Sequence, residues 1–127
     1  IDRTKKQARE VGEVQTLLGR KSKLSGILSK NPMEIAAAER VAINFPIQGS
    51  SADIIKKAMI EIDRALTDGK FHSKMVIQVH DELVFDVFSP EIDHLKKLAT
   101  RLMSQTISLR VPLKVNVGLG SNWMEAK

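Results

Sequence analysis

Two runs rich in Val, Ile and Phe, Lys74 to Val79 and Leu83 to Phe88, are separated by only three polar residues, His80-Asp81-Glu82. Residues of this type favour pleated backbone, and so short a break between them leaves room for little but a tight reversal. The chain is therefore expected to form a β-hairpin with His80, Asp81 and Glu82 at its tip. The rest must pack around that ribbon.

Helix signals frame it on both sides. Asn31-Pro32-Met33-Glu34 supplies a capping residue, a proline at the first helical position and an acid three residues after the cap, which predicts a helix running to about Asn44. Pro46 is expected to end it, because its ring clashes with the preceding turn and disfavours helical dihedrals at Phe45. Ser50-Ser51-Ala52-Asp53 has the spacing of a second capping box, and Ile54, Ile55, Ala58, Met59, Ile62 and Leu66 recur at three- and four-residue intervals. A separate amphipathic helix closed by Gly69 is the expectation. Residues 1 to 11 read as a helix stopped by Gly12, and Glu13 to Leu17 with Lys21 to Leu24 as a hairpin across Leu18-Gly19-Arg20. Ser89-Pro90-Glu91 should cap a further helix with Leu95, Leu98, Leu102 and Met103 on its apolar side, and Val111 to Val117 should form a last strand. The order predicts an α+β fold, helices packed on a mainly antiparallel sheet. Architecture of this kind hosts many activities, so function has to be read from side chains.

Composition narrows the chemistry. With 127 residues, 43% of them hydrophobic, the chain is about the size of one domain with a core of its own. The absence of cysteine excludes disulfides, thiolate metal sites and a cysteine nucleophile, leaving carboxylate or imidazole to hold any metal. Neither a membrane span nor a signal peptide is indicated, and the chain reads as soluble and intracellular. It begins at Ile1 inside an apparent helix, as expected of a piece cut from something longer. The net charge of +5 is concentrated in residues 1 to 30, where eight Lys or Arg face three acids. That region either touches a polyanion or is a solvated basic face.

Two features carry candidate chemistry. Asp81 and Glu82 are adjacent carboxylates at a turn, read either as a solvated tip or as oxygen ligands for Mg²⁺, which is commonly held by one or two carboxylates plus substrate phosphates. His80 beside them suits softer metals, and His72 and His94 read as surface residues. Arg40 and Asn44 lie four apart on one helical face, with Gln48 beyond the expected break. They form either the wet side of an amphipathic helix or a row of donors along a nucleic-acid groove.

Read together with Ser51-Ala52-Asp53-Ile54-Ile55-Lys56-Lys57-Ala58-Met59 and Gly118-Leu119-Gly120-Ser121-Asn122-Trp123, these stretches closely resemble the C-terminal palm segment of DNA polymerase I-type (family A) enzymes, over nearly the whole chain. The resemblance implies that Asp81 is one of two essential metal-binding aspartates for a pair of Mg²⁺ ions, that Glu82 is an auxiliary carboxylate and that His80 contacts the primer end. It likewise implies that Arg40, Asn44 and Gln48 face primer-template DNA, with Arg20 and Lys21 as further DNA contacts. Residues 1-30 would be the end of the fingers and the hairpin returning to the palm, and 31-127 the C-terminal part of the palm. The family often has an aromatic at the position of Glu13, Asp-Gly in place of Leu18-Gly19, and a more arginine-rich run at 20–23. Its other catalytic aspartate lies upstream, and its nucleotide-binding helix carries a tyrosine, a residue this chain lacks. The implied partners are primer-template DNA, deoxynucleoside triphosphates, and the upstream palm, fingers and thumb, in the cytoplasm at a bacterial nucleoid and away from membrane. The competing reading is a non-catalytic nucleic-acid-binding module using the basic first 30 residues; a carboxylate-dependent phosphohydrolase has less support.

Overall fold

Helix α1 (Asp2–Val11) stops where Gly12 takes a φ of 72°, its N–H donating to the Ala8 carbonyl at 2.9 Å in a computed structural model that describes residues 1–126. Only glycine adopts this left-handed conformation without cost, so the predicted stop is enforced by the backbone itself. The chain divides into two compact units, one ending at Asp53 and the other beginning at Ile54.

In the first unit, β1 (Glu13–Gln15) pairs antiparallel with β2 (Lys21–Lys23), Val14 opposite Ser22. The ladder is shorter than expected. Leu17 and Leu18 lie exposed in the turn, while Leu24 leaves the ladder, donates its N–H to the Gly12 carbonyl at 2.9 Å and enters the core. That core joins Ala8, Leu24, Ile27, Ala38 and Ala42, with Val14 against it. Small alanine faces let helices approach closely, and two cations then close over the contact: Lys5 and Arg9 reach Glu39 at 2.7 and 2.6 Å. The hydrogen bond from Lys5, then that from Arg9, holds the Glu39 carboxyl below its ordinary value against the opposing effect of burial.

Helix α2 (Pro32–Asp68) begins as predicted, with the Asn31 side chain accepting from the Met33 N–H at 2.9 Å. It neither stops near Asn44 nor restarts at Ser50. Pro46 sits inside one unbroken helix of 37 residues. Proline deprives the Ala42 carbonyl of its usual donor and costs about 3 kcal/mol in a helix interior, a local penalty that contacts elsewhere can outweigh. Ser50 is buried and helical, so it is no cap; its hydroxyl donates back to the Pro46 carbonyl.

The second unit takes the remainder of α2, which ends as expected before Gly69, whose N–H donates to Ala65 at 3.0 Å. Strands β3 (Lys74–Val79) and β4 (Glu82–Asp86) form the predicted antiparallel hairpin. Met75 faces Phe85 but Ile77 faces Val84, so Val76 is an extra residue, a bulge that bends and twists the ribbon. Strand β4 ends at Asp86, two residues early. A single 3₁₀ turn, Ser89–Glu91, then leads into α3 (Ile92–Gln105) without a side-chain cap. The core is Ile62, Leu66, Leu95 and Ala99, with Phe71, Leu83, Phe85, Leu98, Leu102 and Met103 around it, so the predicted apolar side of α3 is indeed inward.

Residues 111–117 form no ladder among the described residues, contrary to the expected last strand. A strand exists only through bonds to a neighbour, and neither hairpin supplies one. The sheet is accordingly two separate two-stranded ribbons, and the α+β class with antiparallel strands holds.

Glu91 ties the start of α3 back to the entrance of β3. Its carboxylate accepts from the His72 and Ser73 N–H groups, each at 2.9 Å, and from the Ser73 hydroxyl. Burial pushes its pKa up, but the Ser73 hydroxyl and the two amides together outweigh that and hold it below the ordinary carboxyl value. A depressed native value means that the ionised group adds stability above the unfolded value, and that this stability is lost as pH falls through the native one. Glu91→Gln is therefore expected to flatten the acid limb of the melting-temperature profile; an unchanged acid limb would remove Glu91 from the linkage.

Candidate catalytic tip and nucleic-acid-facing residues

The hairpin turn is tighter than three residues. Glu82 opens β4 opposite Val79, so the loop is His80 and Asp81 alone. His80 takes a φ of 53°, a left-handed conformation that costs a non-glycine residue roughly 1–2 kcal/mol. The Gln78 side chain donates to the His80 carbonyl at 2.6 Å and braces the turn. Strain of this kind concentrates at functional sites, and here it sets Asp81 at the apex.

His80, Asp81 and Glu82 are all exposed, and neither acid forms an ion pair among the described residues. Their carboxylate oxygens have the chemistry a hard cation prefers. The described residues hold no group of three or more His, Cys, Asp or Glu able to bind a metal. Asp81 and Glu82 by themselves therefore make up no complete ligand set among the described residues.

Arg40, Asn44 and Gln48 are exposed on α2. Because the helix continues through Pro46, all three fall at successive four-residue steps along one side, over a rise of about 12 Å. Sequence reasoning placed Gln48 beyond a break and so missed this alignment. Lys21 reaches Glu13 at 2.6 Å across its own hairpin. Arg20 is more heavily engaged: Nε donates to Asp53 at 2.8 Å, Nη2 to the Gly49 carbonyl at 3.2 Å, and the guanidinium lies 5.4 Å from the Phe45 ring centre. Four of the eight basic residues in the first 30 therefore pair with carboxylates, Lys5 and Arg9 included.

Thr16, Leu17, Gly49, Ser50 and Asp53, none of them singled out as a functional candidate, complete that arrangement. The Thr16 hydroxyl donates to the other Asp53 oxygen at 2.6 Å, and the Leu17 N–H donates to Ser50 Oγ at 2.9 Å. Gly49 is buried against them, and a Cβ there would stand 2.7 Å from Thr16 Cγ2. Gly49-Ser50 inside a stretch expected to be loop and cap was the available signal. Arg20, Lys21, Arg40, Asn44 and Gln48 belong to the first unit, and His80, Asp81 and Glu82 to the second.

A family model described as DNA polymerase family A matches residues 1–125. The chain is 46% identical over 127 residues to DNA polymerase I of Streptococcus pneumoniae, and 47% identical over 122 residues to DNA polymerase I of Lactococcus lactis. Those matches cover 100% and 96% of this chain respectively, but only 14% of each relative. Among solved structures, the POL domain of Pol1 from M. smegmatis, in complex with DNA primer-template and dNTP, superposes with a TM-score of 0.96 at 45% identity, over 98% of this chain and 22% of that one.

Proposed function

Because the chain belongs to DNA polymerase family A, we propose that it is a segment of a template-directed DNA polymerase that adds deoxynucleotides to a primer 3′ end. Residues 1-30 are the end of the fingers with the returning hairpin, and 31-127 the C-terminal part of the palm, whose last residue, Lys127, lies outside the described residues. The reading is carried by the exposed Asp81-Glu82 pair at a strained hairpin tip, in a chain whose relatives are DNA polymerase I.

Asp81 holds Mg²⁺ together with an aspartate supplied by the upstream palm, and Glu82 is the carboxylate beside it. When bound, two such ions supply the positive charge that offsets negative charge developing on the attacking and leaving oxygens. His80 contacts the primer terminus. Arg40 is a charge-assisted donor, and the Asn44 and Gln48 amides donate to minor-groove acceptors that are nearly the same for every correct pair. Such contacts sense pair geometry without reading sequence. The partners are primer-template DNA, deoxynucleoside triphosphates, and the fingers, thumb and upstream palm. The site of action is the cytoplasm, at the nucleoid where that DNA lies; no described helix is long and apolar enough to cross a membrane.

Two carboxylates bind Mg²⁺ weakly without substrate phosphates and further ligands. The purified 127-residue chain is therefore expected to extend no primer in Mg²⁺, whereas the full-length protein extends it and stops on chelation. Extension by the isolated chain, or full-length extension indifferent to chelation, would refute the reading. A non-catalytic nucleic-acid-binding module predicts instead salt-sensitive binding that survives loss of Asp81 and ignores Mg²⁺.

A further inference from the structure

Gln48 rides on the weakest stretch of α2. Pro46 removes a backbone donor two residues before it, and Gly49, one residue after it, is the poorest helix former apart from proline. Ser50 adds to the softness, since a hydroxyl bonded back to the carbonyl four residues earlier competes with the helix ladder and bends it. Left to itself, this turn would populate several backbone geometries. The β1–β2 hairpin is fastened to that same turn. Arg20 grips the Gly49 carbonyl and Asp53, Thr16 grips Asp53 from the other side, Leu17 bonds Ser50, and the guanidinium lies against Phe45. Thr16 Oγ1 in turn accepts the Arg20 N–H at 3.1 Å, so the latch is closed on itself. Each α2 residue that the hairpin holds, Phe45, Gly49, Ser50 and Asp53, lies within five of Gln48, yet none of the contacts uses the Gln48 side chain, which stays exposed.

We infer that Arg20, Thr16 and Asp53 form a latch that fixes the α2 backbone around Gln48, so that Arg20 is a positioning residue for the primer-facing amide and not itself a phosphate contact. The inference rests on the proposed DNA-facing role of the Arg40, Asn44 and Gln48 row. Asp53 is its distinguishing feature. A phosphate-binding arginine would gain from losing a competing carboxylate, whereas a latch fails when either half is removed.

The test is primer-extension kinetics on the full-length polymerase carrying Arg20→Ala, Asp53→Asn, Thr16→Val, Gln48→Ala, and the Arg20→Ala/Gln48→Ala pair, each checked by thermal melting. A misplacement of about 1 Å can cost up to roughly 100-fold, so Arg20→Ala and Asp53→Asn are each expected to lower kcat/KM by about 10- to 100-fold, to similar extents. Thr16→Val keeps shape and loses both bonds of the hydroxyl, to Asp53 and from the Arg20 N–H, but leaves the Arg20 side chain on Asp53 and Gly49, so it should show a smaller loss in the same direction; it carries the test if Arg20→Ala melts below assay temperature. In the Gln48→Ala background the Arg20→Ala loss should vanish, since the group being positioned is gone. The inference is overturned if Asp53→Asn binds primer-template as well as or better than wild type. It is equally overturned if the Arg20 and Gln48 losses multiply, or if Arg20→Ala lowers the salt dependence of binding by one phosphate contact. Wild-type kinetics in Gln48→Ala alone would overturn both this inference and the reading of the row, and so mark the earlier step as the one that failed.

Discussion

Asp81→Asn in the full-length protein is expected to lower kcat by at least about 100-fold, equivalent to roughly 2.7 kcal/mol of transition-state stabilisation, with primer-template binding and folding retained. Asp81 is exposed at a two-residue turn and forms no ion pair among the described residues, so the substitution removes no internal contact. Surface changes of that sort usually stay within about 0.5 kcal/mol of wild-type stability. A large loss of turnover with an unaltered melting curve can therefore be assigned to chemistry. Asparagine keeps the size of the side chain and removes its charge, which is the property a divalent cation requires. Turnover at the wild-type level in single-turnover quench-flow measurements would exclude Asp81 from the reacting centre.

The largest effect on stability is expected at Ile62, which is 0% exposed and the largest fully buried side chain. It packs with Leu66, Leu95 and Ala99 where α2 and α3 meet. Ile62→Ala removes three carbons from a site enclosed by helices that cannot collapse freely, a change that typically costs about 2–5 kcal/mol. Hydrogen exchange in the full-length protein reads that locally: amides of α3 should lose at least roughly 30-fold in protection, with little change in α1, which belongs to the other core. Unchanged exchange in α3 would show that this cluster does not limit its opening.

The parts of the fold legible in the sequence were those set by neighbours along the chain. Gly12 and Gly69 end helices, Asn31 starts one, and the Val- and Ile-rich runs around residue 80 pair as expected, because each rests on interactions within a few residues. Pro46 misled because its local cost is real but the helix continues, and the latch beside it joins residues as far as 37 apart. Segment 111–117 has the alternation of a strand but lacks a neighbour within the described residues, so pattern alone could not make it one. At the candidate site, the acidic tip was legible from its setting between two strands. The collinearity of Gln48 with Arg40 and Asn44 was not, since it follows from the unbroken helix. The internal partners of Arg20 were invisible for the same reason as the latch: Asp53 is 33 residues away.

Val76 gives the hairpin a further property. With the bulge, Met75 and Gln78 stand opposite Phe85 and Leu83 although they are three residues apart. The direction in which the ribbon leaves the core is set there, five positions before Asp81, by a residue with no chemical part in what the tip does. Aim and chemistry are thereby separately heritable: gain or loss of one codon at the bulge swings the carboxylates to a new bearing while both acidic side chains stay the same.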